Sequence, residues 1–498
     1  MHSYHIFYFP FKWEKPETKG KSFSEQTCLE ELQFNEYSNW IQNPLPIDKE
    51  ESDLLYNEKN YYYKFVHPVL YDTGKKDSIL KHFERKETQL PDCNITYKIA
   101  VKDIKIYSLR VDAINLNLYT TGVGMLTFYL ANERDDQKEP EDILAINQFG
   151  RRIFPPFMGQ LESRSQIAEY LSIEGLYGEA SRYYEDFAGY KNEKHPKESY
   201  KKAWNPSRMI YNLIKDLIPN AKVRPVIDDR MFVNCWYGND ILSVELKEDK
   251  TFDDFLMESN NNYWYQYLFV DWDGETCKNK AMKKKLLEAQ TYTRWQREGS
   301  LFGFSRYSLV LLTDTGWFAN NILAVHMRTV YSRMIELILI QRASTLKFSD
   351  EVIRVSRLPR DSQKNEEMII QISALYKEYI RFVNQIYFRE VSAQEQGIEL
   401  YNLMQKTIDI ENHIRSLDAE IEELHQYVSL LDDRTRNRNA EKLNKIAAIF
   451  LPATLFAGIF GMNSIDKDGI CWHSFITQIL FVISGSVIAW LLLLKPKK

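Results

Sequence analysis

The chain has 498 residues, with 64 Lys plus Arg against 69 Asp plus Glu, a formal net charge of −5. That slightly acidic balance excludes the bulk attraction to phosphate backbones that marks a nucleic-acid binder. Five scattered cysteines, Cys28, Cys93, Cys235, Cys277 and Cys471, lack paired spacing, which speaks against a disulfide framework or a zinc site and fits a reducing cytoplasm.

The N-terminal residues lack a basic start, an apolar stretch and a small-residue cleavage site, so no signal peptide is expected. Alternating apolar segments at 4–9, 101–111, 114–119, 125–130 and 309–312 predict strands, with a hairpin turn over Thr121, Gly122, Val123 and Gly124. Helical spacing falls between them at 140–148, 163–173, 208–217 and 279–290. Residues 1–315 therefore read as a cytoplasmic α/β domain, long enough to bury one core or two, with charged breaks at 132–142 and 192–204 as candidate boundaries.

This domain carries no catalytic signature: it has no Walker loop, dinucleotide glycine pattern, zincin motif or nucleophile elbow, and an enzyme is not expected. Asp271, Trp272, Asp273 and Gly274 form an acidic turn without the further ligands of a calcium loop. Two basic groups, Arg151 with Arg152 near a helix end, and Arg294, Trp295, Arg297 and Arg306, are candidates for holding a phosphate or stacking a base; structural salt bridges are the plainer reading. The run Lys278, Lys280, Lys283, Lys284 and Lys285 spreads around a helix and reads as solvated.

Residues 316–445 read as a helical bundle and stalk. Helices over 322–347 and 366–388 are separated by Leu358, Pro359, Arg360, Asp361 and Ser362, and are expected to pack antiparallel around a third. That third helix carries a heptad seam of Leu403, Thr407, Ile410, Ile414, Leu417, Ile421, Leu424, Val428 and Leu431. No Pro or Gly interrupts 398–451, which predicts one coiled-coil-like rod continuing into the apolar segment that follows.

Two apolar runs, 446–462 and 475–494, flank a loop over 463–474. The second has twenty residues without a charge, enough at about 1.5 Å per residue to cross roughly 30 Å of hydrocarbon. Both are read as transmembrane helices. Basic residues precede the first and follow the second, where Lys495, Lys497 and Lys498 form a tail over 495–498, which predicts an inner-membrane protein with both termini cytoplasmic. On the first helix Asn437, Ala440, Asn444, Ala447, Leu451, Thr454 and Gly458 share a small or polar stripe, read either as close helix packing or as a pore wall. Two helices cannot enclose a water-filled channel, so a pore of this kind requires a homo-oligomer.

The segment from Phe450 through Pro452, Thr454 and Gly458 to Gly461, Met462 and Asn463 resembles the pore helix and signature of the CorA family of magnesium and divalent-cation channels. The resemblance is close over 435–498 and weaker from about 326. It implies a funnel-shaped pentamer in the bilayer that conducts Mg²⁺ or another divalent cation, with Asn463 meeting the hydrated metal ion. It further implies that Thr454 and Gly458 line the conduit, that Leu443 and Leu451 form dry constrictions, and that Asn437 rings the cytoplasmic entrance. Phe460 replaces the family's usual tyrosine, and Asp466 and Asp468 flank Lys467 in the outer loop, leaving one net negative charge per chain at the mouth.

The large N-terminal domain, with the 147–152 segment, also looks similar to CorA-like proteins associated with type III CRISPR systems. That likeness implies an antiviral membrane effector opened by a small nucleotide messenger. A housekeeping Mg²⁺ channel and a non-conducting membrane scaffold are the other readings.

Overall fold

The computed structural model describes most of residues 1–461, apart from 16–21, 45–52, 91–93, 102–103, 155–166, 188–206, most of 249–261 and 358–364; beyond 461 it describes scattered residues, among them 465–466 and 469–470. The chain falls into two units, one of Met1–Leu358 with Ala374–Ile421 and the other of Pro359–Ser373 with Glu422–Lys498.

The first unit is built on a 13-stranded sheet. Its strands are β1 (Ser3–Glu14), β2 (Trp40–Gln42), β3 (Leu80–Arg85), β4 (Thr96–Val101), β5 (Lys105–Tyr119), β6 (Val123–Asn132), β7 (Tyr170–Glu174), β8 (Tyr184–Asp186), β9 (Lys222–Pro225), β10 (Phe232–Gly238), β11 (Thr291–Tyr292), β12 (Leu301–Phe304) and β13 (Ser308–Thr313). The main path runs β11-β12-β13-β10-β1-β6-β5-β4-β7-β8, with β9 beside β1, and with β3 beside β5 and carrying β2. Strands β10 and β13 run parallel, whereas the neighbours of β1 and β5 are antiparallel.

Strand β1 is central because both of its faces are apolar. Along it side chains alternate: Phe7, Phe9, Phe11 and Trp13 enter the main core, while Tyr8 on the other face lies 2.7 Å from Ser332 Oγ. Helix α1 (Pro140–Gly150) covers the first face, opened by Pro140 and a reciprocal cap between Glu139 and Asp142. Helix α2 (Arg208–Leu217) turns Met209, Ile210, Leu213, Ile214 and Leu217 into the same core. Helix α3 (Lys280–Gln290) starts at Asn279, whose side chain accepts from the Met282 amide. Helix α4 (Val330–Ser356) lies on the second face, where Ser344 Oγ is 2.9 Å from Thr121 Oγ1 and the buried Lys347 donates to the Trp13 and Gly122 carbonyls.

Several expectations hold. Strands fall at 4–9, 125–130 and 309–312, helices at 140–148, 208–217 and 279–290, and the β5–β6 turn contains Gly122 at φ 72°. Others need correction. The segments 101–111 and 114–119 are not two strands: β4 ends at Val101, and β5 is continuous over fifteen residues with a register shift between Val111 and Ala113. A bulge absorbs the break in alternation that suggested two pieces. Within the helix expected over 163–173, residues 170–173 instead lie in strand β7, paired with β4. The candidate boundary at 132–142 lies inside one unit, where buried Asn132 and Gln137 exchange hydrogen bonds of 2.8 and 2.9 Å. The candidate at 192–204 lies outside the described residues.

The helical part also departs from a single rod. After α4 come α5 (Asn365–Gln385), α6 (Glu395–Ile408) and α7 (Ile410–Gly461). Asp409 separates the last two in a left-handed conformation, φ 60°. Aspartate is among the few residues other than glycine that visit this region readily, so the break carries no Pro or Gly signal. Before it, α6 buries Leu400, Tyr401, Met404 and Ile408, and Leu403 and Thr407 of the expected seam are only half-buried. After it the seam holds, with Ile410, Ile414, Leu417 and Ile421 buried within one chain. The Tyr379 hydroxyl of α5 donates to the Ile414 carbonyl at 3.2 Å, and Tyr379 and Phe382 pack on Phe348 of α4.

In the second unit Met368, Ile372 and Val428 are buried, and Leu424 and Leu431 are half-buried. Ile465–Asp466 pairs antiparallel with Gly469–Ile470, so the expected polar loop contains a small two-stranded element. Among the described residues no helix is long and apolar enough to cross a membrane. The 446–462 run is the end of α7 up to Gly461, and the 475–494 run lies mostly outside the described residues.

Candidate functional site

Helix α7 places Asn437, Leu443, Leu451, Thr454 and Gly458 on one uninterrupted helix, all exposed within the chain. Leu443 is 67 % and Leu451 68 % exposed. Gly458 has nothing within 4 Å of where a Cβ would stand. The Thr454 hydroxyl donates back to the Phe450 and Leu451 carbonyls at 2.9 and 3.0 Å. Its hydrogen is thus used by the helix, and its lone pairs remain as acceptors. Gly461 ends the helix; Met462, Asn463 and Asp468 lie outside the described residues, and Asp466 is placed by its backbone in the small strand pair.

The basic candidates of the first unit separate into two places. At the end of α1, Gly150 allows the helix to approach the sheet so closely that a Cβ would stand 2.8 Å from Ile99 Cδ1 and 2.9 Å from the Phe7 ring. This approach carries Arg151 inside, where it is 2 % exposed. Its guanidinium lies 5.3 Å from the Tyr307 ring, and that of Arg230 lies 5.2 Å from the same ring. Arg152 pairs with Arg230 through a backbone bridge. Arg230 grips Asp228 through Nε and Nη2, at 3.1 and 2.8 Å to one oxygen. Arg306 joins Arg151, Asp228, Arg230 and Tyr307 on the wall of one pocket. Arg342 on α4 is close enough to feel Arg306 and Asp228.

Electrostatics follows from this crowding. Burial, reinforced by Arg230 and Arg152, lowers the Arg151 guanidinium to about 9. Burial and Arg230 lower Arg152 to about 10. Burial, followed by its contact with Asp228, raises the Asp229 carboxyl to about 6.

Arg294 and Trp295 belong elsewhere. Arg294 spans Glu395 and Glu399 at 2.6 and 2.7 Å, and Tyr292 donates to the same Glu399. Its charge is matched by two carboxylates, so it is a clamp between the β11–β12 connection and α6. Lys283 also departs from the solvated reading: it is 4 % exposed and paired with Glu275 and Asn262. The segment from Asp271 to Gly274 is a turn, as expected, with Asp271 accepting from the Thr276 amide at 3.0 Å.

Residues 318–496 match the family described as CorA-like Mg2+ transporter protein. This region of the chain is similar to the CorA-like family. It takes in α4 to α7, the signature and the second apolar run, and it begins just after β13. The sheet that precedes the CorA-like region lies outside the match. No curated protein and no solved structure matches the chain.

Among the described residues no group of His, Cys, Asp or Glu side chains is arranged to hold a metal ion. The residues that sequence reasoning missed are Asp228, Arg230, Tyr307 and Arg342. They are isolated in the chain and carry no motif; the adjacent pair Asp228 and Asp229 before Arg230 was the one local signal available.

Proposed function

We propose that the chain is one subunit of an oligomeric membrane channel for hydrated divalent cations, Mg²⁺ foremost, with α7 as the pore-lining helix and the N-terminal unit controlling the gate. The observation that carries this reading is the CorA-like match over 318–496. Large apolar side chains support it: Leu443, Phe450, Leu451, Leu455, Ile479, Leu480 and Ile483 are all 44 % exposed or more in the isolated chain. Such surface needs lipid or sister subunits to cover it.

In this reading the run at 475–494 crosses the bilayer beside α7, and the basic flanks hold both termini on the cytoplasmic side. Mg²⁺ sheds water reluctantly, so a ring of Asn463 amide oxygens would meet its hydration shell rather than the bare ion. Asp466 and Asp468 would raise the local cation concentration at the mouth. Below it, Thr454 would offer acceptors to ion-bound water, and rings of Leu451 and Leu443 would close the path by expelling water. Five subunits, as the family resemblance implies, would surround the path.

The test is Mg²⁺ flux into proteoliposomes made with the full chain. Flux in the wild type or in Leu451→Gly, abolished by adding Asn463→Ala, is the expected result. Absence of flux from both the wild type and Leu451→Gly would overturn the reading.

A further inference from the structure

Among the described residues, the group around Tyr307 holds more positive charge than the chain neutralises. Arg151, Arg230, Arg306 and Arg342 act on one another or on common partners, against the carboxylates of Asp228 and Asp229. Arg294 shows how this protein treats an arginine with a structural role, since two carboxylates face it. Arg151 is treated differently. Although fully buried, its Nε has no hydrogen-bond partner among the described residues, and Nη2 reaches the Val270 carbonyl only at 3.4 Å. A buried guanidinium without an acceptor is costly, and the nearby guanidiniums add to that cost.

We infer that this group is a binding site for a phosphoryl anion, with Arg151, Arg230 and Arg306 as its donors and Asp228 as the carboxylate that occupies Arg230 when no anion is bound. Planar guanidinium forks suit tetrahedral oxyanions, which can accept from several of them at once. The gap now enclosed by Arg151, Asp228, Arg230, Arg306 and Tyr307 is about 10 Å³, room for about one water. Entry of a phosphoryl group therefore requires Asp228 to leave Arg230. Half-buried Asp228 can turn outward, because its segment joins β9 to β10. Arg306 is exposed at the rim, and its Nε reaches the Thr407 carbonyl only at 3.5 Å, so it can swing toward an incoming anion.

Binding is measured apart from transport, by isothermal titration of the full chain in detergent with pyrophosphate and, separately, with inorganic phosphate. We expect saturable binding of at least one probe, weakened about tenfold or more by Arg306→Ala and strengthened by Asp228→Asn, which removes the competing charge. Arg294→Ala, outside the group, should bind as the wild type does. A preference for pyrophosphate would assign a phosphoanhydride ligand, and equal affinity a single phosphoryl group. No saturable heat with either probe would overturn the site. So would an Arg306→Ala chain that melts at the wild-type temperature and binds unchanged, or an equal loss in Arg294→Ala.

Discussion

Asp409 stands in the left-handed region at φ 60° and accepts a hydrogen bond from the Asn412 side chain at 2.6 Å, so the junction of α6 and α7 is made by two polar residues and no glycine. The buried stripe changes there, from Leu400, Tyr401, Met404 and Ile408 to Ile410, Ile414, Leu417 and Ile421. Asp409→Gly should leave stability unchanged or raise it slightly. Asp409→Val, whose β-branch clashes in this conformation, should cost about 1–2 kcal/mol. Thermal unfolding of the full chain in detergent reads the difference, and equal melting of the two variants would show that the junction relaxes.

A charge in the α7 seam should act on the subunit itself. Ile421 is 1 % exposed within one chain, so Ile421→Asp buries a carboxylate without a partner, and we expect a loss of about 3 kcal/mol or more. The structure buries the seam inside one chain. Melting should therefore fall even in detergent conditions that dissociate the oligomer. A variant that melts normally and merely loses assembly would return the seam to the interface.

His5 sets a pH dependence. It lies fully buried, with Nδ1 2.7 Å from Asn147 Oδ1 and Nε2 2.8 Å from Ser3 Oγ, and burial lowers its pKa to about 4. A histidine depressed in the folded state contributes stability that is present above its unfolded value near 6.5 and is lost as pH falls toward 4. The shift corresponds to about 3 kcal/mol. Unfolding measured from pH 7 to 4 should show this loss, and His5→Gln should flatten it. An unchanged slope in that variant would assign the acid sensitivity to other groups.

The two leucines of α7 can be tested independently. Leu443→Gly and Leu451→Gly each remove a bulky apolar side chain from a proposed dry constriction, and each should raise basal Mg²⁺ flux in proteoliposomes. Lys445→Gly, roughly 120° or more around the helix from both leucines, should not. Flux that rises equally in all three would point to a softened helix rather than an opened gate.

Much of the fold was readable because it depends on neighbours close in sequence. The alternation in β1, the turn at Gly122, the Pro140 start of α1 and the apolar spacing of α4 to α7 are all local patterns, and the 450–463 segment was enough to indicate the family later matched over 318–496. Local pattern failed where a partner strand or a single backbone angle decided the outcome. Strand β7 forms because β4 offers it an edge, β5 stays whole across its bulge, and Asp409 breaks a helix that no Pro or Gly marks.

The sequence by itself determined the periodic elements, the apolar C-terminal runs and the signature, since each is a property of side chains a few residues apart. Only the tertiary structure decided which arginines stand together. Arg151, Arg230 and Arg306 come from the end of α1, the approach to β10 and the β12–β13 turn, and they meet because the sheet sets those ends side by side around Tyr307. Arg294, close to Arg306 in sequence, was drawn instead to the carboxylates of α6.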